Sequence, residues 1–336
     1  MLRWMADRKH LKKLAGAVDA MNASLLVPTL QDGVFTLGEP VADGVLPKSF
    51  GNTKLPLKVL LSPRSETLST YDTAGMTAAA LSEKRFVVFG TRPCDAHSLL
   101  HLDKVFLDQK FPDPYYARRR DNTTIISLAC THPGATCFCT SVDGGPSDTK
   151  GSDVVAHELG DGLLFQSCTE KGERFLAELS GLLSEPDHAI IAARDKQVEA
   201  AETAMRRVDL TDIGAKLDAC FASGLWQEVS ASCLGCGVCT YLCPTCHCFA
   251  IHDDGFMGSG KRVRVQDSCM YPSFTAEASG HNPRARKAER VQQRIMHKFR
   301  YAVENFGQTF CVGCGRCIAE CPVNIDVRET IAGVRA

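Results

Sequence analysis

The sequence has no apolar run of the roughly eighteen residues that a membrane-spanning helix requires. Its opening stretch, MLRWMADRKHLKKLAGAVDA, is charged where a secretory signal would be apolar, so the chain is expected to be cytoplasmic. Excess charge is missing too: 38 Lys and Arg against 39 Asp and Glu leave a formal net charge of −1. That balance gives no electrostatic footprint for nucleic acid or for an anionic membrane as main partner. No G-x-G-x-x-G follows a strand-like run, and neither H-E-x-x-H nor G-x-S-x-G occurs. GFMGSGKR comes nearest to a phosphate loop, but Arg262 stands where a magnesium-holding Ser or Thr belongs, and the stretch reads as a glycine-rich turn.

Cysteine is what the chain has in quantity, with 17 in 336 residues. Disulfide frameworks belong to small exported domains that lack a sufficient core. This chain is long enough for two domains, and with 44% apolar and 23% charged residues it has an ordinary globular composition. In a reducing compartment its thiols stay free to bind metal.

Two runs carry the strongest signal. Cys233, Cys236, Cys239 and Cys243 precede Pro244 as C-x2-C-x2-C-x3-C-P, and Cys311, Cys314, Cys317 and Cys321 precede Pro322 with the same spacing. Three thiolates on a tight loop grip three irons of one cubane, while the fourth, after a longer step and a proline, points elsewhere. In two-cluster ferredoxins it ligates the other cluster. One [4Fe-4S] cluster is thus expected on Cys233, Cys236, Cys239 and Cys321, and a second on Cys311, Cys314, Cys317 and Cys243. Gly235, Gly237, Gly313 and Gly315 let the backbone turn closely and offer amides to sulfur. Four-cysteine zinc is the competing reading, but zinc ribbons use two well-separated pairs and have no use for a third cysteine at the same step.

The segment between the runs is no obstacle to exchange of fourth ligands, since loop closure costs only about 0.6 kcal/mol per doubling of length. Within it Val291, Ile295, Phe299 and Val303 recur at i+4, which predicts an amphipathic helix with Asn282 and Pro283 at its start and Gly307 at its end. Its basic residues Arg284, Arg286, Lys287, Arg290, Arg294, Lys298 and Arg300 form a solvated surface or else face anionic clusters or an acidic partner.

The first part of the chain reads as mixed α/β. EKRFVVFG and NTTIISLAC are strand-like, HLKKLAGAVDAM and LLHLDKVFLDQK have helical periodicity, and residues 196–224 turn helical again. Each strand-like run leads to cysteine: Cys94 after the first, and Cys130, Cys137 and Cys139 after the second. Four thiols on loops leaving adjacent strand ends could hold a third [4Fe-4S] cluster, against structural zinc or buried thiols that pack as small hydrophobes. Asp95 and His97 suit supporting hydrogen bonds, or equally a helix cap and a surface histidine. Cys246, Cys248 and Cys269, with His281 nearby, make a small metal site or pack beside the clusters, and Cys168 and Cys220 read as ordinary thiols.

Taken together, TRPCDAHSLLHLDKVF, DPYYARRRDNTTIISLACTHPGATCFCTS, CLGCGVCTYLCPTCHCF, DSCMYPSFTAEASGHNPR and CVGCGRCIAECPVNID give the chain, from about residue 85 to about 330, its likeness to known proteins. It resembles the iron-sulfur electron-transfer subunits of anaerobic sulfite reductases, of sulfhydrogenases (their beta subunit) and of flavin oxidoreductases coupled to heterodisulfide reductase. The resemblance implies a relay between a flavoprotein partner that handles NAD(P)H and a catalytic oxidoreductase partner.

The expected fold is α+β: an N-terminal mixed α/β domain over residues 1–225, then a C-terminal α-helical two-cluster ferredoxin-like domain over 226–336. The expected role is electron transfer without bond-making chemistry. The alternatives are catalysis of sulfite or disulfide reduction by the chain itself, and a scaffold whose clusters serve only the fold.

Overall fold

The computed structural model describes residues 1–41, 45–47, 49–108 and 110–334. Among them the strands, in chain order, are β1 (Leu2–Met5), β2 (Ser24–Gln31), β3 (Val34–Gly38), β4 (Ser65–Asp72), β5 (Gly75–Ala78), β6 (Phe86–Thr91), β7 (Thr123–Leu128), β8 (Val154–Leu159), β9 (Gly162–Ser167), β10 (Phe249–Phe256) and β11 (Ser259–Gln266). The chain divides into two units. The first takes Met1–Leu61, Ser82–Arg207 and Val312–Cys314; the second takes Ser62–Leu81, Val208–Cys311 and Gly315–Ala336.

In the first unit a seven-stranded sheet runs in the order β1-β9-β8-β7-β6-β2-β3. Its centre, β2, β6, β7 and β8, is parallel, with antiparallel strands toward the edges. Parallel strands covered on both faces need apolar residues on both, which explains the unbroken runs FVVF and IISL. The period of two sorts them: Val87, Phe89, Ile126 and Leu128 join one core with Met5, Leu14 and Phe165. Val88 and Ile125 point the other way, into a core with Leu57, Leu99, Leu102 and Tyr116. Helices Pro93–Phe106 and Pro114–Asp121 supply residues to the second core. The latter starts where Asp113 accepts from the amides of Tyr115 and Tyr116, both at 2.9 Å. Because β6 and β7 are parallel neighbours, the loops that follow them leave the same edge of the sheet. That edge is where open α/β sheets gather their ligands.

The second unit combines helices with a four-stranded antiparallel sheet, β10-β11-β4-β5. The α+β class therefore holds for the whole chain, and this part carries a sheet that a purely helical reading lacks. The turn in GFMGSGKR joins β10 to β11 through Met257 and Gly258 at φ +50° and +84°. Two central residues at positive φ give the twist that suits a tight hairpin.

The amphipathic segment forms Lys287–Met296, a π-helical turn His297–Tyr301, and Ala302–Phe306, closed by Gly307 at φ +71°. It starts later than Asn282 and Pro283 suggest. Asn282 folds a turn of its own, accepting from the Arg284 amide at 3.0 Å, while Glu289 reaches back to the Arg286 amide at 2.8 Å and starts the helix there. Val291, Ile295 and Phe299 are buried as the stripe requires; Val303 is 39% exposed and Ala302 is buried in its stead. Among the described residues no helix is long and apolar enough to cross a membrane.

Candidate iron-sulfur centres

The two cysteine runs fold alike. Gly237 and Gly315, at φ +73° and +74°, start the one-turn helices Val238–Tyr241 and Arg316–Ala319, which carry Cys239 and Cys317. Left-handed backbone at that point is open to glycine at little cost, so the C-G-x-C order follows from the turn.

In the second unit Cys233, Cys236, Cys239, Cys317 and Cys321 line one cavity of about 50 Å³, walled by aliphatic side chains such as Val291, Ile295 and Val327. Cys321 thus stands with the first three cysteines of the other run. Two of these sulfurs already accept amide hydrogen bonds, Cys233 from Gly235 at 3.4 Å and Cys321 from Ile325 at 3.2 Å.

Arg294 lines the same cavity. It is 9% exposed, its Nη2 donates to the Cys239 carbonyl at 3.4 Å, and its buried Nε has no partner. One turn on, Lys298 is 3% exposed and donates to Cys243 Sγ at 3.1 Å, Thr245 Oγ1 at 3.0 Å and the Phe310 carbonyl at 3.0 Å. Burial works against both charges. The nearby sulfurs of Cys239 and Cys317 favour the charged Arg294 guanidinium nonetheless, and those of Cys243 and Cys246 do the same for Lys298. Thiolate-bound clusters are anionic and take hydrogen bonds at sulfur. A thiol-lined cavity with an open guanidinium donor fits such a group.

The first unit gathers the other set. Cys94 lies in the first turn of helix Pro93–Phe106, with its Sγ 3.8 Å from Asn52 Oδ1. Asn52 Nδ2 in turn donates to the Cys314 carbonyl at 2.9 Å, which also lies 3.7 Å from Cys137 Sγ. Cys130 follows β7, its amide donating to Pro146 at 2.8 Å. Burial pushes the Cys139 thiol up to about 12, and Cys130 and Cys137 add to the rise. Burial also raises Cys130, which Arg92 opposes and Cys137 reinforces. The Phe138 amide donates to the Gly313 carbonyl at 2.8 Å, and a Cβ on Gly313 would come within 2.5 Å of the Phe138 carbonyl carbon and the Cys139 nitrogen. Asp95 and His97 are both buried, and His97 Nδ1 sits 2.9 Å from Asp148 Oδ2, so neither is a surface residue.

Of the remaining cysteines, Cys269 shares a thiol hydrogen bond with Cys248, and that bond together with burial raises it. Among the described residues no three His, Cys, Asp or Glu side chains close round one point as the ligands of a single ion would. Cys168 is pushed up to about 11 by burial, and Cys220 is buried with its Sγ 3.6 Å from the Leu217 carbonyl.

Known proteins agree with this chemistry. A family profile described as a 4Fe-4S dicluster domain matches residues 232–325. Sulfhydrogenase 2 subunit beta of Pyrococcus furiosus is 36% identical over 257 residues, which is 75% of this chain and 74% of that protein. The chain belongs to the sulfhydrogenase beta-subunit family. No solved structure matches it. As a member of that family it is an iron-sulfur electron-transfer subunit of an oxidoreductase, with a 4Fe-4S dicluster domain.

The burial of Arg290, Arg294 and Lys298 does not follow from reading the basic residues as one group. Their spacing carries part of it: these three cations step by four beside Val291, Ile295 and Phe299 and share the edge of the inward stripe, while Arg286, one step earlier, stands at the N-cap outside the helix and is exposed. Asn52 carries no signal, because it acts from a loop far off in sequence.

Proposed function

We propose that this beta subunit relays single electrons between an NAD(P)H-linked flavoprotein partner and a catalytic oxidoreductase partner of hydrogenase, sulfite reductase or heterodisulfide reductase type. In this reading Cys233, Cys236, Cys239 and Cys321 hold one [4Fe-4S] cluster, Cys311, Cys314, Cys317 and Cys243 a second, and Cys94, Cys130, Cys137 and Cys139 a third. The observation that carries it is Cys321 standing on one cavity with Cys233, Cys236 and Cys239, as exchange of fourth ligands requires. When bound, each cluster supplies a one-electron couple, which suits a chain that must divide the electron pairs of flavin and nicotinamide. The protein's own part is to supply thiolates, to donate Gly235 and Ile325 amides to their sulfurs, and to keep the first cavity among aliphatic side chains.

Iron and acid-labile sulfide on anaerobically purified protein test the reading. About twelve of each per chain are expected with three clusters, and about eight if Cys94, Cys130, Cys137 and Cys139 are unligated. Reduced-state EPR signals are expected on addition of NAD(P)H and the flavoprotein partner. Zinc in place of iron, or clusters that the flavoprotein cannot reduce, would end the proposal.

A further inference from the structure

Arg294 and Lys298 are two interior cations on one helix face, a turn apart. Their hydrogen-bond partners are two backbone carbonyls, a hydroxyl and a thiol sulfur, with no carboxylate among them. Neutral acceptors solvate a cation without cancelling it, and removing a charge from water costs several kcal/mol unless an opposite charge is close. The neighbouring acidic groups are sulfurs: Cys239 and Cys317, one from each run, beside Arg294, and Cys243 in contact with Lys298. Lys298 also lies in the π-helical turn His297–Tyr301, a local geometry that is rare in helices and frequent at functional sites.

We infer that Arg294 and Lys298 are fixed counter-charges that raise the reduction potentials of the two dicluster-domain sites, Lys298 acting on the site that Cys243 serves and Arg294 on both. This rests on the ligand sets proposed above. The reason is the change in charge. A bound cluster becomes more negative by one unit on reduction, so a buried cation at a few ångströms favours the reduced state, and low local dielectric makes the effect large. The open Nε of Arg294 is a donor with no role in the protein's own hydrogen bonding. Lys298, tied by three contacts, is held at its sulfur without freedom to withdraw.

The test is an EPR-monitored redox titration of the whole chain carrying K298Q, K298R, R294Q or R286Q, with iron determined on each sample. Arg286, with a side chain 78% exposed, is the control. In K298Q one of the signals from the two dicluster-domain sites should move to lower potential, changing the ratio of oxidised to reduced form at a set potential by about tenfold, or about 59 mV for a one-electron couple. In R294Q both should move, and in K298R and R286Q neither. Full iron with unmoved potentials in both K298Q and R294Q would overturn the inference. If K298Q binds no iron, K298R decides: iron retained at unchanged potentials supports a role for charge, and iron lost there as well assigns Lys298 to packing and overturns it. Absence of iron from the unaltered chain would instead overturn the ligand sets themselves.

Discussion

Cys130 and Cys139 of the first unit and Cys239 and Cys243 of the second differ in what surrounds the sulfur. Cys130 and Cys139 sit in surroundings where burial dominates and pushes the thiols up, with Arg92 the cation that opposes the rise at Cys130. That guanidinium is itself held by the carbonyls of Gly51, Leu128 and Ala129 and by the ring of Phe50. Such thiols can stay protonated and pack as small hydrophobes. Burial raises Cys239 as well, and Arg294 opposes that rise, but here the cations themselves are interior: Arg294 and Lys298 are buried with sulfur as their acidic neighbour. An anion is needed there for the interior to be tolerable. Ligand binding and folding are therefore expected to be more tightly coupled in the second unit than in the first.

The largest effect should come from removing one thiolate on each side. Cys239→Ala and Cys139→Ala should each lose about four irons per chain. Only Cys239→Ala should also lose hydrogen-exchange protection across residues 287–306, because it strands Arg294, while in Cys139→Ala the strands β6 and β7 keep theirs. Equal loss of protection in both variants would break the contrast.

A smaller effect separates two glycines. Gly313→Ala places its Cβ against the backbone of Phe138 and Cys139, at φ +61°, whereas Gly237→Ala at φ +73° meets first the Tyr271 hydroxyl at 2.9 Å, on a side chain that can move. Gly313→Ala should cost about 3 kcal/mol and Gly237→Ala about 1 kcal/mol in denaturant melts. The opposite order would mean that the first-unit loop yields more readily than its backbone contacts imply.

The least of the three is a titration. His157 on β8 is fully buried, and burial pushes it from 6.5 down to about 4. The folded chain keeps it neutral while the unfolded chain protonates it, so its contribution is intact above pH 6.5 and fades as pH falls toward 4. Between pH 7 and pH 5 the loss should be about 2 kcal/mol, and His157→Gln should flatten that part of the stability curve. An unchanged slope would place the acid sensitivity at the cysteine sites.

The same contrast explains how much is legible in the amino-acid order. The parallel core strands are legible because an apolar run such as FVVF, buried on both sides, has no other natural place, and the paired cysteine runs because their spacing encodes a cubane directly. Strands β10 and β11 are not: Phe249, Ile251 and Phe256 are exposed, and Arg264 is buried against Glu66 of a strand almost two hundred residues earlier. A buried ion pair between distant segments leaves no periodic trace in either one. Arg294 and Lys298 fall between these cases, visible in spacing but masked by the rule that cations belong at the surface.

The backbone passes between the two units five times, after Leu61, Leu81, Arg207, Cys311 and Cys314. No single scissor cut can release either half whole. A fragment beginning at residue 226, for instance, would forfeit β4 and leave β11 with a bare edge open to pairing with strangers. With the chain laced in this way, neither end of the sequence can be exchanged for another without dividing a unit.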